Sequence, residues 1–136
     1  MKKITALIIF VVFSLAFSDA FAQTDEHVHK PHPHKHKQYA KVKNPIQMTE
    51  ESIAKGKRLY EKHCVSCHGE SGKGGIGSNL ADDVWIHGNS DGEIFHVITD
   101  GTKGQTSMKG FKKELTKEMR WHLVNYIKSL KKIEKE

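Results

Sequence analysis

The sequence predicts an all-α fold of three to five helices. Three observations carry that prediction. Apolar residues recur at three- and four-residue steps in three separate stretches, which is the repeat of a helix with one buried face. Each stretch starts beside a residue suited to capping a helix, Thr49, Ser90 or Thr116. The first of them runs into Cys64-Val65-Ser66-Cys67-His68, a C-x-x-C-H spacing with no strand-like segment before it.

The chain of 136 residues is long enough for one small domain with extensions. Only 37% of it is hydrophobic and its mean hydropathy is −0.58. The core must be small, and a large apolar body at its centre would help it close. The formal net charge of +6, spread over many lysines, favours acidic protein surfaces or anionic membranes as partners. No nucleic-acid motif accompanies the charge, so nucleic acid is not an expected partner.

Residues 1–22 read as a secretory signal. Met1-Lys2-Lys3 is a basic start, Ile4 to Phe17 is apolar, and Ala20-Phe21-Ala22 is a small-x-small cleavage site. The apolar run is short for a membrane span. Retention as an anchor to the cytoplasmic membrane is the alternative. No cysteine lies near the cleavage site, which excludes a lipoprotein. Residues 23–48 read as a disordered linker, because apolar residues are sparse and Pro31 and Pro33 break any helix. The linker carries His27, His29, His32, His34 and His36 among lysines. Neutral imidazoles at alternating positions can bind Cu²⁺, Ni²⁺ or Zn²⁺. A solvated basic tether is the plainer reading, since disordered metal sites are weak.

The domain is placed at 49–133, with a tail at 134–136. Glu50 and Glu51 follow Thr49, where acid complements the helix dipole. Ile53, Gly56, Leu59, Tyr60 and Cys64 make one face. Gly56 costs roughly 1 kcal/mol against Ala, and close approach of another helix would use it; Tyr126 is a candidate contact.

That helix delivers the motif. Two thiols one turn apart lie on the same side of the backbone. Both can reach one edge of a porphyrin and form thioethers with its former vinyl groups, and His68 then falls under the iron. A structural zinc site needs more ligands, and there are no other cysteines. A thioredoxin-like site needs a preceding strand. A structural disulfide is the remaining alternative. The motif therefore points to one covalent haem c per chain, held by Cys64 and Cys67 and ligated by His68.

Gly69, Gly72, Gly74, Gly75 and Gly77 mark an irregular loop. It is no Walker loop, because the order is wrong and no strand precedes it. It is expected to wrap the proximal side of the haem, where a backbone carbonyl accepts the other N–H of His68. A short helical turn is expected within Asn79 to Trp85, and the Trp85 indole needs a partner, for which a haem propionate is a candidate. Ser90-Asp91-Gly92-Glu93 is a capping box opening a helix with Ile94, Phe95 and Ile98 on its stripe, and Gly101 ends it. His87 and His96 could in principle bind iron, though surface or structural roles are commoner for a lone histidine.

Met108 lies forty residues after His68, enough to cross to the opposite haem face. It is flanked by Gly104, Gly110 and polar residues, so packing is weakly supported there. Met48 precedes the domain, and Met119 falls on the last helix's stripe, where packing is the default. Met108 is therefore the candidate distal ligand, and thioether opposite His raises the haem potential. The last helix carries Met119, Leu123, Tyr126, Ile127 and Leu130 on its stripe, widened by Trp121 and Val124. Lys128, Lys131 and Lys132 cluster near its end.

Taken together, residues 49–133 resemble a class I c-type cytochrome domain. The stretch Asn79-Leu80-Ala81-Asp82-Asp83-Val84-Trp85-Ile86-His87-Gly88, with Ile94 and Ile98-Thr99-Asp100-Gly101 after it, is similar to haem c domains of the subunit that feeds cbb-type terminal oxidases, and to their small soluble relatives. The resemblance implies the class I cytochrome c fold, His68/Met108 ligation, and the first helix packed across the last. It also implies export, because bacterial haem attachment takes place outside the cytoplasmic membrane. Ser78 and Lys109 stand where the family often has proline, which predicts less rigid loops at both places.

The leading functional expectation is a non-enzymatic, periplasmic one-electron shuttle in a respiratory or periplasmic redox chain. With both axial positions filled, no site is open to substrate. A redox donor and acceptor are the expected partners. Lys73, Lys103, Lys109, Lys112 and Lys113 would steer docking to their acidic surfaces, or are simply solvated. The alternative is a haem-based ligand sensor or an accessory subunit of a redox enzyme, which needs a labile sixth position. A single haem motif excludes a two-haem peroxidase within this chain.

Overall fold

The structure, a computed structural model, describes residues 36–104 and 107–133. The expected signal segment, the tract bearing His27, His29, His32 and His34, and the tail at 134–136 lie outside the described residues. A short 3₁₀ turn spans Lys37–Tyr39, followed by α1 (Glu50–His63), α2 (Val65–His68), α3 (Asp91–Asp100) and α4 (Lys117–Ile133). Among the described residues there is no strand, and one isolated bridge pairs Gly101 with Lys109.

The helix starts follow the local chemistry. The Thr49 side chain accepts the Ser52 N–H at the head of α1. At α3 the capping box is complete: Ser90 Oγ accepts the Glu93 N–H, and the Glu93 carboxylate accepts the Ser90 N–H and hydroxyl. These bonds allow Glu93 to be buried. Thr116 Oγ1 accepts the Met119 N–H at the start of α4.

The main contact between elements is α1 across α4. It closes at Gly56, where an added Cβ would overlap the His122 carbonyl oxygen and the Tyr126 Cβ. One turn on, the fully buried Tyr60 packs against Tyr126, with ring centroids 5.1 Å apart. Ile94 and Ile98 of α3 join Leu123, Val124 and Ile127 of α4 in the same core.

A polar network crosses this interface. Asn125 Nδ2 donates to Ser52 Oγ at 2.8 Å, and Ser52 Oγ lies 2.8 Å from His122 Nδ1. Asn44 Nδ2 donates to Asn125 Oδ1 and to the Trp121 carbonyl. The chain before α1 is therefore held on the domain, and the end of the expected linker is ordered. Val42 O accepts the Gly92 N–H, and Ile46 is packed on the core. Hydrogen bonds do most of the fastening, with Ile46 as an apolar contact, so the polar composition of the segment concealed the docking.

Two further expectations change. Met119 does not pack in the stripe but is 40% exposed. No helical turn forms within Asn79 to Trp85; Asn79 Oδ1 accepts the Ala81 N–H and Asp82 Oδ1 the Val84 N–H, so side chains take the place of helical carbonyls.

Asp91 ties three segments together. Its carboxylate accepts the Asn44 N–H at 3.0 Å and pairs with Lys128 of α4. Partial burial raises its pKa, but the bonds from Lys128 and Asn44 outweigh that and hold it below its ordinary 3.8. A depressed carboxylate adds stability that is fully present above the ordinary value and is lost as pH falls through the folded one. Asp91→Asn is expected to cost about 1–2 kcal/mol at neutral pH and to flatten the loss of stability below about pH 4. Denaturant melts across that range check it; an unchanged acid limb would remove Asp91 from the account.

Candidate haem site

The motif sits where α1 ends. Cys64 caps α1, its N–H donating to the Tyr60 carbonyl, and the chain continues as the single turn of α2. The Cys67 and His68 N–H groups both donate to the Cys64 carbonyl, at 3.1 and 2.9 Å. The two thiols are thereby set one turn apart, unbonded to each other, with Cys64 buried and Cys67 exposed. Burial, with Cys67 beside it, pushes the Cys64 thiol up to about 11.

The glycine loop is wound against this turn. The Gly74 N–H donates to the His68 carbonyl and the Gly77 N–H to the Cys67 carbonyl. Gly69 has φ +74°, and its carbonyl accepts the Tyr60 hydroxyl at 2.9 Å, which links the loop to the α1–α4 core. An added Cβ at Gly77 would lie 2.7 Å from His68 Cε1, so only glycine lets the loop lie on the imidazole.

His68 Nδ1 lies 2.9 Å from the Ser78 carbonyl. That oxygen can only accept, so Nδ1 carries the hydrogen and Nε2 of the neutral ring keeps its lone pair. The carbonyl contact expected of the loop is thus made at Ser78, without a proline.

Met108 is half-buried against the core. Its N–H donates to Thr102 Oγ1, and its carbonyl accepts the Thr102 N–H, both at 2.9 Å. The bridge from Gly101 to Lys109 and the Phe111 N–H bond to the Ile98 carbonyl tie the same segment to the end of α3. Hydrogen bonds thus hold the backbone on either side of Met108 although Lys109 stands where the resemblance implied a proline.

Other candidates fall elsewhere. The Trp85 indole donates to the Asp82 carbonyl at 3.1 Å, so it needs no propionate as partner. His87 and His96 gather beside His36 rather than at the motif. Thr102 and Tyr60 hold the site, yet no spacing in one sequence marks either for that task.

The donor set fits a covalent haem. Two unpaired thiols can form thioethers, and one imidazole offers Nε2 with its other nitrogen anchored. A methionine lies in a hydrogen-bonded loop, and no further cysteine is present to complete a zinc site. No helix among the described residues is long and apolar enough to cross a membrane.

Comparison with known proteins agrees with this chemistry. The cbb3-type cytochrome c oxidase subunit CcoP of Azospirillum sp. is 34% identical over 92 residues, which are 58% of this chain and 31% of that protein. Subunit FixP of Azorhizobium caulinodans is 42% identical over 53 residues, 37% of this chain and 18% of the relative. The chain thus spans less than a third of the length of these curated relatives. Among solved structures, cytochrome cL of Methylophaga aminisulfidivorans superposes with a TM-score of 0.55 at 28% identity, covering 59% of this chain and 53% of that one. Cytochrome cL of Hyphomicrobium denitrificans gives 0.54 at 27%, covering 60% and 49%. Residues 51–127, more than half of the chain, match the family model described as cytochrome C oxidase, cbb3-type, subunit III. The chain therefore belongs to that family and is a class I c-type cytochrome whose cofactor is covalently attached haem c.

Proposed function

We propose that the chain is a periplasmic electron-transfer protein whose haem c is held by Cys64 and Cys67 and ligated by His68 and Met108. The observation that carries this reading is the anchoring of both candidate ligands: His68 Nδ1 on the Ser78 carbonyl, and Met108 in its two-way bond with Thr102. Haem c supplies a one-electron iron couple. The protein's part is to keep Nε2 of His68 available, to hold a thioether ready for the opposite face, and so to leave no position for substrate. Residues 1–22 would direct export, with removal or retention as an anchor both compatible with this role.

The partners would be a redox donor and acceptor with acidic docking surfaces. Lys103, Lys112 and Lys113 are exposed near the Met108 loop, whereas Lys109 is paired with Glu114 at 2.9 Å. The steering charge thus falls on fewer lysines than the sequence suggested. The relatives named as oxidase subunits support a second reading, in which the chain serves as an accessory electron-carrying subunit of a redox complex.

The spectrum and midpoint of the purified holoprotein, with carbon monoxide added to the reduced form, test the closed site. A His/Met spectrum, a clearly positive potential and slow or absent carbon monoxide binding are expected. Fast binding at neutral pH would favour a ligand sensor instead.

A further inference from the structure

Six histidines lie in the described residues, and three of them meet at one place away from the Cys64–His68 motif. The His36 ring is 4.6 Å from that of His96 and 5.7 Å from that of His87, centroid to centroid. They come from three segments: the end of the histidine tract, the loop before α3, and α3 itself. The Tyr39 ring stacks on His96 at 4.1 Å and 18°, so the short turn after His36 is seated on α3. His36 begins that turn without using its side chain as a cap.

Simple aromatic packing accounts for Tyr39. Three imidazoles gathered from three segments would repel one another on protonation, and one cation shared between neutral rings would instead draw them together. His96 adds a second observation. Its Nδ1 lies 3.0 Å from Asp100 Oδ2. In the neutral ring the hydrogen then sits on Nδ1 and the Nε2 lone pair is left outward, the arrangement that orients metal-bound imidazoles. Imidazole nitrogens bind zinc at about 2.0–2.1 Å, which places rings sharing one ion roughly 4.5–5.5 Å apart, centre to centre. The His36–His96 separation falls inside that range and the His36–His87 separation lies just above it. Among the described residues no three such side chains already converge on one point. Binding therefore requires the rings to turn, above all that of His87, which lies only 22° from parallel with His36.

We infer that His36, His87 and His96 form a site for one Zn²⁺ or Cu²⁺ ion, with Asp100 orienting His96. Neutral nitrogen donors select these borderline ions over Mg²⁺ or Ca²⁺. Occupancy would clamp the end of the histidine tract to α3.

The test uses the mature holoprotein with reduced haem and Zn²⁺ alone. Calorimetry is expected to show one site tighter than the rest, and His87→Phe and His96→Phe, which keep a ring for packing, should each weaken it at least tenfold. Asp100→Asn should weaken it by roughly tenfold or more. In wild-type protein the imidazole ¹⁵N signals of His36, His87 and His96 should shift with the first equivalent, a readout that does not depend on how the variants fold. First-equivalent affinity unchanged when His87→Phe and His96→Phe are combined, shifts confined to His27, His29, His32 and His34, or no binding at micromolar zinc would each overturn the site.

Discussion

Replacing Met108 by Ala is expected to open the sixth coordination position while leaving the haem attached. The weak red band of ferric iron–thioether bonding should vanish, the midpoint should fall substantially, and carbon monoxide should bind the reduced protein rapidly. Axial ligands command a span of roughly 0.8 V in haem potential, and a thioether opposite histidine sits toward the upper part of it. The fold should survive. The bonds that hold this loop run through the Met108 backbone to Thr102, and alanine keeps both. The loss would then be one of ligation rather than of structure. Retention of the band and the midpoint would remove Met108 as ligand. Thr102→Val provides the graded counterpart, since it releases the Met108 N–H and loosens the thioether without deleting it.

Gly56→Leu is expected to produce a large loss of stability. Even a Cβ at this position overlaps the His122 carbonyl and the Tyr126 Cβ, and backbone cannot swing aside as a side-chain tip can. The helices must separate, which would break the Ser52–His122 and Asn125–Ser52 bonds and loosen Tyr60 from Tyr126. Overpacking alone costs about 1–3 kcal/mol, and each buried group left unpaired adds about 1–3 more. A fall of roughly 3 kcal/mol or more in urea melts of the holoprotein is expected, because the better helix propensity of leucine recovers only about 1 kcal/mol. Stability equal to wild type would show that the helices can part without penalty.

What the sequence conveyed was whatever depends on near neighbours. Thr49, Ser90 and Glu93 sit within four residues of the groups they cap, and all three do so in the structure. The cost of Gly56 in a helix pointed to a close crossing, and the crossing is there. What stayed hidden depends on partners far along the chain. Asn44 is 81 residues from Asn125, and Ser52 is 70 from His122. No local pattern joins them, so the segment before α1 was assigned to the linker. Met119 shows a different failure: a stripe read by spacing leaves the edge of the buried arc undefined, and Met119 lies outside it. At the site, the motif and the loop glycines were legible, but the engagement of Lys109 by Glu114 and the grip of Thr102 on Met108 were not.

The contact between His68 and Ser78 has one consequence for how such a protein can vary. The acceptor is a main-chain oxygen, and every amino acid has one. Substitution at position 78 can alter the loop around that oxygen but cannot delete it. The electronic push on the imidazole is thus buffered against mutation, while the hold on Met108, though partly main-chain, includes one side-chain group that substitution can remove, the hydroxyl of Thr102. With the proposed His68/Met108 ligation, heritable adjustment of the redox potential should therefore accumulate on the methionine side, with the histidine side as the constant against which it is set.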